Sequence, residues 1–291
     1  MTVFEALNAL PVAVVWAAVF VLGLMVGSFL NVVILRLPPR LMQDWRVQCQ
    51  ELLELKLDPD TAPEPPPGLV KPRSRCPQCG SGIAWYDNIP VLSWLILRAR
   101  CRQCQARIGL RYPLVELATG LLSLWVIVHF GPGPEGLSAL VLVWALIAAT
   151  GIDFDHQLLP DQITLPLLWL GLLINLNWQL FASLEDAVIG AVAGYLLLWS
   201  VFHLFRLATG KEGMGYGDFK LLGALGAWMG WQLLPVIILL ASLVGAIVGI
   251  LMMIIARRGK DIPIAFGPYL AAAGFIALLY GDGLVAFWLY P

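Results

Sequence analysis

Charge is scarce in this chain. Asp, Glu, Lys and Arg make up 13% of its 291 residues, about half the share of an ordinary soluble domain. The net charge of −1 leaves no basic excess for a phosphate backbone, so no nucleic-acid partner is expected. The apolar segments lack the period-2 alternation of a membrane β-barrel, which excludes that fold. Residues 1–10 contain no Lys or Arg ahead of the first apolar run, which argues against a cleaved signal peptide. What is abundant is apolar: 59% of the chain, in long runs punctuated by Gly, Pro and charge clusters. In lipid such runs satisfy their own backbone hydrogen bonds only as helices. The fold class is therefore an all-α polytopic membrane protein.

Eight transmembrane spans are predicted, roughly at 11–35, 113–130, 137–152, 162–181, 186–206, 219–231, 233–256 and 267–289. The sixth is shorter than the ~20 residues a span needs and reads as either a tilted short helix or a re-entrant segment. Twelve of the 18 Lys and Arg residues lie between Arg36 and Arg111; the others are Arg206, Lys211, Lys220, Arg257, Arg258 and Lys260. With eight spans all of them fall on one side, and an odd number would break that segregation. The positive-inside rule makes this side cytoplasmic and puts both termini outside. The chain then divides into a first span (1–37), a cytoplasmic loop domain (38–112) and a bundle of about seven spans (113–291).

The loop domain holds a mixed stretch, Asp44 to Lys56, that reads as helix, and a proline run from Pro63 to Gly68 that cannot be regular structure. Four of the five cysteines follow, as Cys76-Pro-Gln-Cys79 and Cys101-Arg-Gln-Cys104, with 21 residues between the pairs. Each Cys-x₂-Cys turn can deliver two sulfurs to one metal, and the pattern resembles a four-cysteine zinc ribbon. A reducing cytoplasm disfavours disulfides, although redox pairs are the alternative. Four thiolates leave no open coordination position, so the zinc is read as structural. Cys49 is expected to be a plain helix residue.

Two aspartates stand where apolar runs meet polar ones: Asp153 at the end of the third span and Asp218 at the start of the sixth. An ionisable residue at the edge of hydrocarbon is costly, and two on one face suggest a pair sharing a proton and able to activate water. Gly213, Gly215 and Gly217 free the backbone beside Asp218, and a helix starting just after it would turn N–H dipoles toward the site. Asp218 can alternatively be an N-cap, and Asp161 after Pro160 reads as the N-cap of the fourth span. Asp155 competes with Asp153 for the first catalytic position, or is a solvated or supporting residue; Lys220 is a second candidate for catalytic support. Glu116 is either a buried carboxylate or an interfacial residue paired with a loop Arg. His129 and His203 are placed near opposite membrane faces, against a shared metal site. Gly23, Gly27 and Ser28 permit close helix approach.

Several motifs together resemble the type IV prepilin peptidases, bifunctional leader peptidase/N-methyltransferases of bacterial pilus and type II secretion systems. They are Gly27-Ser-Phe-Leu-Asn-Val-Val-Ile-Leu-Arg-Leu-Pro38, Pro72-Arg-Ser-Arg-Cys-Pro-Gln-Cys79, Asn88-Ile-Pro-Val-Leu-Ser-Trp94, Cys101–Cys104, Arg111-Tyr-Pro-Leu-Val-Glu116, Ile152-Asp-Phe-Asp-His-Gln-Leu-Leu-Pro-Asp161 and Gly213-Met-Gly-Tyr-Gly-Asp-Phe-Lys220. The resemblance runs nearly end to end. It implies Asp153 and Asp218 as the catalytic pair, the latter from a Gly-x-Gly-Asp motif, and maps the family's cysteine pairs onto Cys76, Cys79, Cys101 and Cys104. It implies cleavage of a short basic leader from prepilins and pseudopilins at the cytoplasmic face of the bacterial inner membrane. Methylation of the new N-terminal residue by S-adenosylmethionine would follow. Many relatives carry Gly before the basic residue preceding the third cysteine, in a loop associated with methyl transfer; this chain has Ala99. No Gly-rich βα fingerprint for the methyl donor occurs in 38–112, and neither its binding residues nor the oligomeric state is legible.

Two other classes compete. A transporter also uses paired carboxylates, but near the midplane and often in an inverted repeat, which this sequence does not show. A membrane scaffold docking partners through its cysteine loop would leave both aspartates dispensable.

Overall fold

The computed structural model describes residues 10–53, 65–211, 213–255 and 265–289. Arg257, Arg258, Lys260, the end of the 44–56 stretch and the start of the proline run lie outside them. Among the described residues no strand forms, and the helices are α1 (Val12–Leu52), α2 (Leu92–Ile96), α3 (Arg111–Phe130), α4 (Pro134–His156), α5 (Asp161–Trp178), α6 (Leu184–Thr209), α7 (Tyr216–Met229), α8 (Leu234–Ile255) and α9 (Gly267–Leu289). Each of the eight predicted spans corresponds to one of them. Five segments are long and apolar enough to cross a membrane: α1, α3, α4, α6 and Trp231–Ile255, which contains α8. Of the other three, α5 and α7 are shorter or less apolar, and α9 is apolar over Gly267–Gly281.

The chain forms two compact units, Pro11–Trp125 and Val126–Pro291. In the first, α1 runs for 41 residues, about 60 Å at 1.5 Å per residue. The first span was predicted to end near residue 35, yet the helix continues to Leu52, through the Pro38-Pro39 pair that removes two N–H donors. At its middle the Arg36 guanidinium donates to the carbonyls of Gly68 and Pro72, each at 2.7 Å, so the helix also anchors the start of the cysteine segment. Small residues let α1 lie directly on α3. A Cβ on Gly27 would sit 2.7 Å from Glu116 Cα, and one on Gly23 would sit 2.8 Å from Gly120 Cα. These glycines therefore serve helix packing, as expected of small residues between membrane helices.

In the second unit α7 is the centre. Its 14 residues span about 21 Å, short of the ~30 Å hydrocarbon thickness. Apart from Lys220, every residue from Asp218 to Met229 is buried, so protein rather than lipid surrounds it. The ambiguity about the sixth segment thus resolves as a short enclosed helix. Glycines set the contact with α6: a Cβ on Gly194 would lie 2.7 Å from the Leu222 carbonyl, and Gly190 faces Gly226 backbone to backbone. The far end of α7 is tied down by Asn175 of α5, fully buried, whose amide donates to the carbonyls of Ala227 and Trp228 at 3.0 and 2.9 Å. Those are helix-end carbonyls with no intrahelical partner. The same side chain accepts from the Phe181 and Ala182 N–H groups in the turn before α6.

Candidate active site and metal centre

Three chain segments meet at one end of the second unit. Helix α4 extends one turn past the predicted boundary at 152, ending at His156 with Gln157 in the left-handed region (φ 52°). Asp153 therefore lies inside the last turn, on its buried side, and is 5% exposed. Its Oδ2 accepts from the Gly267 N–H at the start of α9, at 2.9 Å. Asp155, two residues on, points the other way and is exposed, because adjacent odd positions of a helix cannot share a face.

Asp218 does not precede a helix as predicted. Helix α7 begins at Tyr216, with Gly215 as N-cap, which places Asp218 in the first turn. Its Oδ2 accepts from the Gly215 N–H at 3.2 Å, the reach-back bond of a capping box. Its Oδ1 is buried without a hydrogen-bond partner, and the residue is 6% exposed. Leu159 packs between the two segments: a Cβ on Gly217 would touch its Cβ at 2.6 Å, and one on Gly267 would lie 3.1 Å from its Cδ1. Asp153 is near enough for its charge to act on Asp218. Among the described residues neither carboxyl is paired with a cation.

Lys220, two residues along α7, pairs instead with Asp161 at 2.5 Å. Asp161 was expected to be the N-cap of its helix. The cap position is taken by Pro160, and Asp161 sits in the first turn, where a negative charge also suits the helix dipole. The histidines pack in separate aromatic clusters, His129 against Phe130 and Tyr280, His203 against Trp199 and Phe202.

In the first unit the two cysteine pairs fold as equivalent knuckles. Each is closed by an antiparallel bridge, Arg75 with Gly82 and Arg100 with Arg107, and each turns on a left-handed residue, Gly80 (φ 68°) and Gln105 (φ 59°). The knuckles bring the Sγ atoms of Cys76, Cys79, Cys101 and Cys104 within 4.8 Å of one another, with Cys76 and Cys104 at 3.7 Å. Sulfurs at the corners of a metal–thiolate tetrahedron are about 3.8 Å apart. The cluster can hold a metal ion. Its thiols are also electrically unequal. The Ser81 hydroxyl and N–H pull Cys79 down to about 6. The Ala106 N–H pulls Cys104 down too, but burial and the neighbouring thiols prevail and push it up to about 11. Arg102, inside the second knuckle, makes a two-pronged bond to Asp87 at 2.6 and 2.7 Å, which holds that carboxyl below the usual carboxylate range. Cys49 is exposed on α1, as expected.

Glu116 is buried, and its Oε2 accepts from the Val91 N–H at 2.8 Å, with no loop Arg as partner. Two residues that contribute polar contacts at the candidate sites were missed from the sequence. Gly267 carries no side-chain signal and sits 114 positions from its partner. Asn31 looks like one more residue of an apolar span.

Comparison with known proteins accords with this architecture. Residues 21–130 match the family model for the bacterial peptidase A24 N-terminal domain, and residues 140–250 match that of the type IV leader peptidase family. The prepilin leader peptidase/N-methyltransferase of Stutzerimonas stutzeri is 56% identical over 99% of this chain and 98% of that protein. Those of Aeromonas hydrophila (56%, covering 94% and 93%) and Pseudomonas aeruginosa (54%, covering 99% and 98%) are similar. No solved structure matches. Through both domain matches and these near full-length relatives, the chain belongs to the type IV leader peptidase family.

Proposed function

We propose that the chain cleaves the short basic leader from prepilins and pseudopilins at the cytoplasmic face of the inner membrane, with Asp153 and Asp218 as the catalytic pair. One observation carries this reading: two carboxyls, 5% and 6% exposed, lie within electrostatic reach of each other and, among the described residues, have no cation paired with them. Such a pair holds one proton between its members. The ionised member takes a proton from water as it attacks the scissile carbonyl, and the protonated member hydrogen-bonds the carbonyl oxygen. The gem-diol that forms is held by both carboxyl groups. Burial favours Asp153 over exposed Asp155 for the first position. Lys220 acts at one remove, through its pairing with Asp161, by holding the start of α7 against the start of α5. The distribution of Lys and Arg supports a cytoplasmic site, and the apolar helix of the substrate would lie in lipid.

The second activity is N-methylation of the newly exposed residue. S-adenosylmethionine supplies the methyl group from its sulfonium, the amine nitrogen forms the new bond, and a proton is released. The relatives' name supports this half. Zinc is the metal that four thiolates at tetrahedral spacing suit best, and with all positions filled by sulfur its role is structural.

Incubating the detergent-solubilised protein with a prepilin and a labelled methyl donor tests both halves. Leader loss and label transfer are scored separately. Asp153→Asn and Asp218→Asn are each expected to abolish leader loss while the protein stays in the membrane fraction. Normal processing by either variant removes that residue from the catalytic role.

A further inference from the structure

The first unit contains a cavity of about 540 Å³, within the range of small-ligand sites. It is bordered by the cysteine knuckles on one side and by Ser28, Asn31 and Glu116 of the packed pair α1 and α3 on the other. Two features of that inner wall are unusual. Asn31 is 3% exposed, and its amide nitrogen is committed to the carbonyls of Gly27 and Tyr112, at 3.3 and 3.1 Å. That fixes the orientation of the carboxamide and leaves Oδ1 buried with no donor. An orphaned buried acceptor is costly, and its persistence asks for a partner that is absent here.

Glu116 is the second feature. Its carboxyl accepts from the Val91 N–H, and Val91 is the centre of a tight three-residue turn, φ 61° and ψ −50°, closed by the Leu92 N–H on the Pro90 carbonyl. A β-branched residue in that conformation is strained, so the carboxyl is held in place at a cost in backbone energy. Four arginines line the cavity: Arg36 is engaged with two carbonyls and Arg102 with Asp87, while Arg75 and Arg107 stand on the bridges that close the two knuckles. Among the described residues none pairs with Glu116. The inner wall therefore holds a buried carboxyl, which accepts from Val91 and Ser28, and a buried carbonyl-type oxygen without a donor.

We infer that this cavity binds a primary ammonium group, held by Glu116 and Asn31. Ammonium offers three donors and a positive charge, which suit a carboxylate and an amide oxygen alike. In the methyl-transfer half of the proposed function, on which the identity of the ligand rests, two molecules carry such a group. One is the aminoacyl end of S-adenosylmethionine; the other is the α-amine of the freshly exposed substrate N-terminus.

Calorimetric titration of the detergent-solubilised, metal-loaded protein distinguishes the sources. The donor arm compares S-adenosylhomocysteine, whose sulfur is neutral and which keeps the amino-acid end of the donor, with 5′-methylthioadenosine, a neutral thioether that lacks that end. The substrate arm compares a peptide beginning with free Phe against its N-acetylated form. In at least one arm the free amine is expected to bind about tenfold tighter or more, and Glu116→Gln is expected to remove that preference. Preference in the donor arm identifies the methyl donor, and preference in the substrate arm identifies the substrate. Metal content and melting temperature confirm that Glu116→Gln is folded; if it is not, Asn31→Leu is read in the same way. The inference is overturned if neither arm prefers the amine, or if the preference survives in the folded variant. Label transfer by the unaltered protein tests the methyltransferase reading by itself, so the two failures are separable.

Discussion

The Gly267 N–H donates to Asp153 Oδ2 at 2.9 Å, joining the start of α9 to the last turn of α4. The contact requires glycine for reasons of space, since a Cβ there would lie 2.6 Å from the same oxygen. Gly267→Ala therefore pushes the carboxyl without altering its chemistry. A displacement near 1 Å in a catalytic group costs about 10²-fold, and a hydrogen bond to a charged group is worth about 1.5–3 kcal/mol. The expected result is a kcat for leader cleavage lowered by roughly 10- to 100-fold with KM nearly unchanged. Gly267 would then be a positioning residue. A rise in KM alone, or wild-type kinetics, would show that the contact does not set the geometry of Asp153.

The same residue shows where sequence reading stops. The burial of Asp153 and Asp218 and the clustering of the four cysteines were legible because such residues at the edge of apolar runs, or paired at metal-ligand spacing, are unusual without a cause. Helix existence was legible from apolar runs. Helix ends were not: α4 runs a turn past 152, α7 starts before Asp218, and α1 passes through Pro38-Pro39, because tertiary contacts such as Arg36 with Gly68 and Pro72 support what local propensity opposes. Gly267 and Asn31 act through a backbone N–H and an amide whose partners lie 114 and 81 positions away, and nothing local announces a partner that distant.

The unequal thiols of the cysteine cluster give a pH-dependent test of the metal centre. The thiolate is the reactive form. In the metal-free protein Cys79, held down near 6 by Ser81, is ionised above that pH, whereas Cys104, pushed up to about 11, is still protonated at pH 7.5. In a Cys49→Ser background, iodoacetamide at pH 7.5 is expected to label Cys79 well before Cys104. The advantage should shrink as pH falls through 6 and Cys79 takes up its proton. Added zinc should protect both, because binding consumes the thiolates. Peptide mass mapping of the labelled sites is the measurement. Equal labelling of the two cysteines, or labelling unaffected by zinc, contradicts the arrangement.

The resemblance pointed to glycine at the position of Ala99, and the backbone there is one that suits glycine. Helix α2 ends in a Schellman arrangement: the Arg98 N–H donates to Leu95 O at 3.0 Å and the Ala99 N–H to Trp94 O at 2.8 Å. Arg98 (φ 52°) and Ala99 (φ 58°) are both left-handed, a conformation free to glycine and costing an L-residue about 1–2 kcal/mol. Ala99 also accepts from the Ile108 N–H at 2.7 Å, which ties the turn to the second cysteine knuckle. Alanine thus makes the turn and keeps its bonds, but under strain. Ala99→Gly removes the strain while raising the entropy of the unfolded chain, by about 0.5–1 kcal/mol. The net expectation is a stabilisation of the knuckle of about 0.5 kcal/mol, read as slower zinc release to a chelator and an unchanged metal stoichiometry. Label transfer to the substrate N-terminus should differ little between the two proteins, because both hold the same turn. Faster zinc release from the glycine variant would mean that Ala99 is not strained there, and a large gain in methyl transfer would mean that the turn must open during the reaction.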